Sequence, residues 1–135
     1  MKRALTIGSF DPVHVDHVVL FRRCEELADE VVVAVNSDRF YTEYRGYPPT
    51  FKESERMQMV RVLGYTVVLN DGPGREVIQR VKPDLLVIGS DWLGKDYLSQ
   101  IDCTRDFLER LGVSLLYVPR GRTISSTELK ARCAR

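Results

Sequence analysis

Residues 8–17 read Gly8-Ser9-Phe10-Asp11-Pro12-Val13-His14-Val15-Asp16-His17, and the interpretation of the whole chain starts from this stretch. It follows a short apolar run, residues 4–7, and precedes a helical pattern that begins near Val18. A glycine turn therefore joins a buried strand to a helix N-terminus, where unpaired backbone N–H groups and the helix dipole favour an anion, most often phosphate. The chain has two histidines, His14 and His17, and their spacing lets both rings face one ligand.

The composition is that of one globular domain. The 135 residues are 44% hydrophobic and 29% charged, which suits an ordinary core and argues against disorder. A net charge of +1 indicates no global basic field for nucleic acid or membrane, so any anion site must be local. The apolar runs are far too short to span a membrane. Cys24, Cys103 and Cys133 lack metal-type spacing and suit a reducing cytoplasm.

Apolar runs and helical patterns alternate along the chain. The runs predict strands at residues 3–7, 31–36, 65–69, 85–88 and 113–118. The periodic segments predict helices at residues 15–28, 52–63, 76–81 and 97–111, with an interruption near residue 103 left open, and a last helix capped by Ser125 or Ser126. The first helix should bury Val18, Leu20, Phe21, Cys24 and Leu27. Residues 37–52 are predicted to be a long loop. The alternation predicts an α/β fold, a three-layer sandwich around a five-stranded parallel sheet.

Four segments of unusual composition follow predicted strands: residues 8–17, 37–52, 89–95 and 120–127. In parallel α/β sheets the ligand binds beyond the carboxyl ends of the strands, so all four segments should meet at one edge. This coincidence carries more weight than any single motif. It predicts a ligand site at that edge.

The residue types at that edge suit a chain of phosphates. Gly8 would allow close backbone approach, and Asp11 would hold an acceptor hydroxyl or help to place a metal. His14 and His17 can donate hydrogen bonds to phosphate oxygens. Fixed positive charge and free hydroxyls would come from the last segment, through Arg120, Arg122, Ser125, Ser126 and Thr127.

Each element also has a structural interpretation. The histidines can be surface or packing residues, the Ser-Ser-Thr run can be a helix cap only, and the arginines can be solvated charges. Asp91-Trp92 can be a turn covered by an aromatic ring. No Gly-x-x-x-x-Gly-Lys-Ser/Thr loop or Gly-x-Gly-x-x-Gly fingerprint is present, which disfavours P-loop ATPases and dinucleotide oxidoreductases.

Three stretches together resemble the nucleotidyltransferases with an HxGH signature. Residues 8–17 are similar to the family's G-[TS]-F-D-x-x-H-x-G-H, and residues 122–127 to its R-T-x-x-[IV]-S-[ST]-T. Glu55-Arg56 resembles the E-R pair of its second helix. Residues 89–95 are most similar to the G-x-D-W-x-G-K element of glycerol-3-phosphate cytidylyltransferases. The resemblance spans nearly the whole chain and implies a Rossmann-like fold.

The resemblance implies transfer of a cytidylyl group from CTP to a small phosphorylated alcohol, by direct attack and with release of pyrophosphate. It implies Mg²⁺ bound with the triphosphate, no metal cage made by the protein, no nucleic-acid or membrane partner, and a homodimer. Catalysis would fall to His14, His17, Arg45 and Arg122, and acceptor binding to Asp11 and Arg45. Nucleotide binding would fall to Gly8, Ser9, Phe10, His14, His17, Arg56, Gly89, Asp91, Trp92, Arg120, Arg122, Thr123, Ser125, Ser126 and Thr127.

The chain departs from the family pattern at several positions. Asp16 replaces the glycine of HxGH, and its carboxylate would repel a triphosphate that passed close by. Arg45 lies nearest the place of the family's second-loop lysines, with Lys52 as the other candidate. Either Arg120 or Arg122 can take the arginine role beside the serines.

Two alternative functions remain open at this point. One keeps the reaction but uses ATP, with a phosphopantetheine-like, sugar-phosphate or nucleotide-like acceptor, whereas Asp91-Trp92 favours CTP. The other is a nucleotide-binding module without catalysis, which Asp16 would favour.

Overall fold

The computed structural model of the chain describes residues 1–119 and 126–134. The strands there are β1 (Arg3–Gly8), β2 (Glu30–Asn36), β3 (Thr66–Asn70), β4 (Leu85–Gly89) and β5 (Ser114–Val118). The helices are α1 (Val15–Leu27), α2 (Asp38–Arg45), α3 (Glu53–Val62), α4 (Arg75–Val81), α5 (Tyr97–Gln100), α6 (Arg105–Leu111) and α7 (Ser126–Cys133), and a 3₁₀ turn spans Ser90–Trp92. Within these described residues, no helix has the length and apolar character that crossing a bilayer requires.

The five strands form one parallel sheet in the order β3-β2-β1-β4-β5. This arrangement confirms the predicted α/β fold with a five-stranded parallel sheet. The direction of chain progression reverses between β1 and β4, because β2 and β3 extend the sheet on one side while β4 and β5 extend it on the other. A crevice opens beyond the carboxyl ends of the strands at such a reversal. The Gly8 end of β1 and the Gly89 end of β4 therefore border the expected ligand site.

Helices cover both faces of the sheet. Along β2, Val31, Val33 and Val35 face the layer of α1 and α3, whereas Val32 and Ala34 face the layer of α4, α5 and α6. A continuous β-branched run is typical of a strand that is buried on both faces. The sheet is thus the middle layer of a three-layer sandwich, and core residues such as Phe10 and Tyr97 also reach the walls of the site.

The prediction of a loop over residues 37–52 is wrong for its first half, where α2 forms. The Oγ of Ser37 caps the helix by accepting a hydrogen bond from Phe40 N at 3.0 Å. An ion pair of 2.8 Å between Arg39 and Glu43 joins successive turns. Gly46 ends the helix in the left-handed region, with φ at 83°.

The segment predicted as one helix over residues 97–111 is interrupted, as the sequence left open. It is divided into α5 and α6, and Asp102, in the break, has φ at 54°. Thr104 caps α6 by accepting from Phe107 N at 3.1 Å.

In α1, burial of Phe21 and Cys24 is confirmed, but Leu27 is 40% exposed, contrary to the prediction. Ala28, four residues after Cys24, packs against the core instead.

Candidate active site

The two histidines lie together at the start of α1. His14 is the N-cap residue, and its Nδ1 accepts a hydrogen bond from Asp16 N at 3.2 Å. His17 Nδ1 accepts from His14 N, also at 3.2 Å, which completes a capping box. The rings stack with centroids 3.8 Å apart and an interplanar angle of 20°. Because both Nδ1 atoms act as acceptors, the neutral rings carry their protons on Nε2, where they can donate to a phosphate oxygen.

Phe10 supports the histidine pair from below. It is buried with φ at 51°, and its ring contacts His17 edge-on with centroids 4.9 Å apart. The ring lies directly over Gly8, where a Cβ would approach the Phe10 ring to 2.8 Å. Gly8 was expected to leave room for a ligand. In the structure, the missing side chain leaves room for Phe10, which in turn places His17.

Two cavities meet at this point. The smaller, of about 190 Å³, lies at the β1–β4 crevice and includes His14, Asp16, Gly89 and Asp91 in its wall. The larger, of about 430 Å³, extends toward α2 and α7. Both cavities are lined by Ile7, Gly8, Ser9, Phe10, His17, Ile88 and Trp92. His17 is therefore placed to contact ligands on either side.

Aromatic side chains and two cations dominate the larger cavity. The aromatic residues are Phe10, Phe40, Tyr41, Tyr44, Tyr47, Trp92 and Tyr97, in addition to His17. Arg45 lines the cavity from the last turn of α2, with its Cζ 5.3 Å from the centroid of the Tyr44 ring. Lys130 lines it from α7. The Lys130 ammonium is paired with Asp11 at 2.8 Å, so the charge of Arg45 is the less neutralised of the two.

Gly89, Asp91 and Trp92, expected near the base, line the smaller cavity from the end of β4 and the 3₁₀ turn. Trp92 is half-buried, and its ring meets Tyr97 edge-on with centroids 5.2 Å apart. Asp91 is exposed on the same turn. The structure therefore brings this motif next to residues 8–17, the histidine loop. Asp16 also lies in the wall of this cavity and is only 5% exposed.

Asp11 is a structural centre as well as a cavity residue. It is 3% exposed, and its carboxylate accepts from Thr50 N and Phe51 N, each at 2.8 Å, and from Lys130 Nζ at 2.8 Å. Burial raises the pKa of this carboxyl, but the bonds from Lys130 and the two amides outweigh burial and hold the pKa below its ordinary value. These partners occupy both oxygens that were expected to contact an acceptor.

Arg56, expected near the nucleotide phosphates, lies beneath the cavities and is 1% exposed. Its guanidinium donates to the carbonyl oxygens of Ser9 at 2.8 Å, Asn36 at 2.7 Å and Phe51 at 2.8 Å. It also pairs with Asp38 at 2.8 Å. With these bonds made, Arg56 holds the chain segments around the site and does not line either cavity.

The last segment is described in part. Ser126 and Thr127 line the larger cavity at the start of α7, and Ser126 Oγ donates to Pro12 O at 3.1 Å. The proximity of this hydroxyl to the histidine loop is the arrangement that the motifs predict. Arg120, Arg122, Thr123 and Ser125 lie outside the described residues.

Several residues of the cavity wall are not singled out from the sequence, among them Asn36, Tyr41 and Lys130. Asn36 Nδ2 donates to Ser9 Oγ at 3.0 Å, and its Oδ1 accepts from Asn70 at 2.8 Å. Asn36 ends a buried strand, a position that signals the ligand edge. Lys130 follows Ser126 by four residues on a helix, and this spacing places the two on one face.

No cysteine lines either cavity. Cys24 and Cys103 are buried and Cys133 is exposed, all as free thiols. Burial raises the pKa of Cys24 to about 12, so its thiolate is scarce near neutral pH. This position away from the histidines does not suit a cysteine nucleophile.

Comparison with known proteins assigns a family to this site. A family model described as cytidylyltransferase-like matches residues 5–132. A glycerol-3-phosphate cytidylyltransferase from Staphylococcus aureus is 28% identical over 134 residues, which cover 96% of this chain and 93% of that protein. An FAD synthase from Pyrococcus abyssi is 33% identical over 94 residues, covering 66% of this chain and 63% of that protein.

Longer proteins and solved structures also match. A bifunctional protein HldE from Nitratiruptor sp. is 35% identical over 95 residues, covering 67% of this chain, and the match spans only 21% of that protein. The crystal structure of a lipopolysaccharide core biosynthesis protein from Thermoplasma volcanium aligns with a TM-score of 0.71 and 25% identity, covering 92% of this chain and 99% of that one. Because the family model covers nearly the whole chain, including the paired histidines and the Asp91-Trp92 turn, the chain belongs to the cytidylyltransferase-like family and is a nucleotidyltransferase.

Proposed function

We propose that the protein transfers a cytidylyl group from CTP to a small phosphorylated alcohol such as glycerol 3-phosphate. The acceptor phosphate attacks the α-phosphorus of CTP in line, the new phosphoanhydride bond forms as the bond to the β-phosphate oxygen breaks, and pyrophosphate leaves. The observation that carries this proposal is the position of His17 in the wall shared by the two cavities. The ring can there contact oxygens of a nucleotide on one side and of an acceptor on the other.

The roles of the residues follow from this position. The Nε2 protons of His14 and His17 stabilise the charge that develops on the phosphate oxygens and on the departing pyrophosphate. Ser126 and Thr127, with Ser125, Thr123 and either Arg120 or Arg122 from the neighbouring segment, hold the β- and γ-phosphates. Gly89, Asp91 and Trp92 lie beside the base, and Ser9 and Phe10 shape the floor. Arg45 binds the acceptor phosphate with its forked donors.

Two of the predicted roles take a different form in this proposal. Asp11 and Arg56 act by holding the loops, since their polar atoms are already bonded to the protein. Asp16 lies in the wall of the smaller cavity, which His14 and His17 also line. Its negative charge would slow turnover relative to a glycine at this position.

Mg²⁺ enters with the triphosphate in this proposal. Residues 1–119 and 126–134 contain no group of three or more His, Cys, Asp or Glu side chains arranged to hold a metal. The buried carboxylate of Asp11 already accepts from a lysine and two amides, so this donor set does not suit a resident ion. Phosphate oxygens and water are the ligands that Mg²⁺ prefers in nucleotide sites.

A second function uses ATP and a larger acceptor with a flat or apolar part. The specific observation in its favour is the aromatic lining of the larger cavity, together with the similarity to an FAD synthase. We further propose that the protein acts in the cytoplasm, where its free thiols would stay reduced, and that it forms a homodimer.

The discriminating experiment follows pyrophosphate release with each nucleoside triphosphate, Mg²⁺ and a panel of phosphomonoesters. We expect turnover with CTP and glycerol 3-phosphate, and a CDP-alcohol identified by mass. Turnover with ATP but not with CTP would contradict the cytidylyl proposal. CTP binding without pyrophosphate release for any acceptor would contradict the proposal that the protein is catalytic. Replacement of Asp91 by Ala should weaken the preference for CTP. Asp106→Ala is the matched control, because this aspartate of α6 is exposed and lines neither cavity.

A further inference from the structure

Helix α7 is attached to the protein through polar contacts on one face. None of its residues is buried. Ser126 Oγ donates to Pro12 O at 3.1 Å, and Lys130 Nζ donates to Asp11 at 2.8 Å and to the Tyr41 hydroxyl at 3.3 Å. Because no residue of α7 is fully buried, these polar contacts contribute to holding the helix in position.

The Lys130 contact joins three segments of the site. Asp11 belongs to the histidine loop, three residues before His14, and Tyr41 belongs to α2. Lys130 itself lies three residues after Thr127. One ammonium group thus links the loop that carries the histidines, the helix that carries Arg45 and the helix whose hydroxyls line the larger cavity.

Asp11 is a fixed anchor for this ammonium group. The backbone amides of Thr50 and Phe51 also donate to its carboxylate, so Asp11 has two partners besides the lysine. The Lys130 side chain is 32% exposed, against 2% for Asp11. The ion pair therefore joins a half-buried lysine of the helix to a fully buried carboxylate of the loop.

We propose that Lys130 is a positioning residue that docks α7 against the histidine loop through Asp11 and Tyr41, so that the hydroxyls of α7 and the histidines hold the same triphosphate. This inference rests on the proposed function. Lys130 makes no contact with the reacting atoms in this arrangement. It acts on the β- and γ-phosphates only through the position of Ser126 and Thr127.

The test compares affinities of the intact protein for CTP and CMP. Lys130→Met keeps the length of the side chain and removes its charge. We expect the Kd for CTP to rise by about tenfold to a hundredfold, while the Kd for CMP, which lacks the outer phosphates, changes by less than about twofold. Lys130→Arg should restore much of the CTP affinity. Arg132→Met removes a charge from the exposed side of the same helix and should leave both affinities unchanged.

A second measurement separates positioning from direct phosphate binding and from general unfolding. If Lys130 acts by docking the helix, Ser126→Ala should raise the Kd for CTP by a much smaller factor in the Lys130→Met background than in the wild type. Additive effects would overturn the proposal, as would equal losses of CTP and CMP affinity or no loss at all. If Lys130→Met does not fold, Tyr41→Phe removes the phenolic partner alone and should weaken CTP selectively. A wild-type protein that binds CTP but releases no pyrophosphate would refute only the proposed reaction, whereas one that binds no nucleoside triphosphate would refute both.

Discussion

His17 uses its two ring nitrogens for different tasks. Nδ1 accepts from the backbone of His14 and so helps to cap α1, whereas Nε2 is the atom that can donate to a ligand. Replacement by alanine removes both, which confuses a loss of helix stability with a loss of chemistry. A structural test of the proposed catalytic role must therefore keep the cap.

We predict that His17→Ala lowers kcat by at least about a hundredfold, because a donor aimed at developing charge is lost. The same change should cost about 0.5–2 kcal/mol of the free energy of unfolding, since the cap is lost as well. His17→Asn offers an amide oxygen near the position of Nδ1 and should recover the stability without the rate. Steady-state kinetics and urea unfolding on the three proteins check both parts; full activity in His17→Asn would exclude His17 from the mechanism.

For single residues, the sequence predicted which side chains lie at the site better than it predicted the role of each. The histidines and Trp92 are at the cavities because their motifs follow strand ends, and a strand end is readable from an apolar run. Asp11 and Arg56 were expected to touch ligands, but charged residues beside a motif can equally bond to backbone groups of distant loops. Nothing in residues 8–17 reveals that the amides of Thr50 and Phe51 would meet Asp11.

Among the elements, the loops at the ligand edge depend on one buried cation. Arg56 of α3 donates to three carbonyl oxygens and to Asp38 at once. Another side chain cannot make the same set of bonds, because only a guanidinium has this fork of donors. These bonds join the ends of β1 and β2 to the starts of α2 and α3. The ligand edge is therefore braced from beneath.

We predict that Arg56→Met lowers the free energy of unfolding by about 3–5 kcal/mol, because buried carbonyl oxygens lose their donor. Arg61→Met, on the exposed side of the same helix, should change it by less than about 0.5 kcal/mol. Urea denaturation of both variants measures the difference. A loss in Arg56→Met no greater than that of the control would show that the bonds contribute nothing net.

Helix α2 shows why some elements were missed. Its eight residues, Asp38–Arg45, place Phe40, Tyr41 and Tyr44 at helical spacing, but the helix has only about two turns, and a glycine and prolines follow closely. So short a periodic segment beside turn-forming residues is easily taken for part of a loop. The helix is stabilised locally by the Ser37 cap. It is also stabilised by two hydrogen bonds between Asp38 and Glu53, which is distant in sequence.

For the molecule as a whole, the sheet and the site differ in how they are encoded. The alternation of apolar runs and helical patterns predicts the parallel sheet, and the continuous run 31–36 suits a strand that is buried on both faces. Helix α7, which completes the site, has no buried residue, and an ion pair joins it to Asp11. This contact depends on charge, and a change of pH can remove the charge.

The Asp11–Lys130 pair should make stability depend on pH at both extremes. The folded pKa of Asp11 is lowered, so its contribution is present above the unfolded value of about 3.9 and is lost as the pH falls through the folded pKa. For Lys130, burial lowers the pKa, but the bonds to Asp11 and Tyr41 outweigh burial and raise it. Its contribution is therefore present below about 10.4 and is lost as the pH rises through the folded pKa.

We predict that the free energy of unfolding of the wild-type protein decreases below about pH 4 and above about pH 10.5, near the reference pKa values of Asp and Lys. Lys130→Met should make both the acid and the alkaline decrease less steep. The acid limb should not vanish, because Asp71, whose pKa Ser37 and Arg39 lower, loses its own stabilising contribution there. Urea unfolding across this pH range measures the effect. Curves for the wild type and Lys130→Met that run parallel would mean that the pair contributes no linked stability, and α7 would then have to be held by contacts other than its charge.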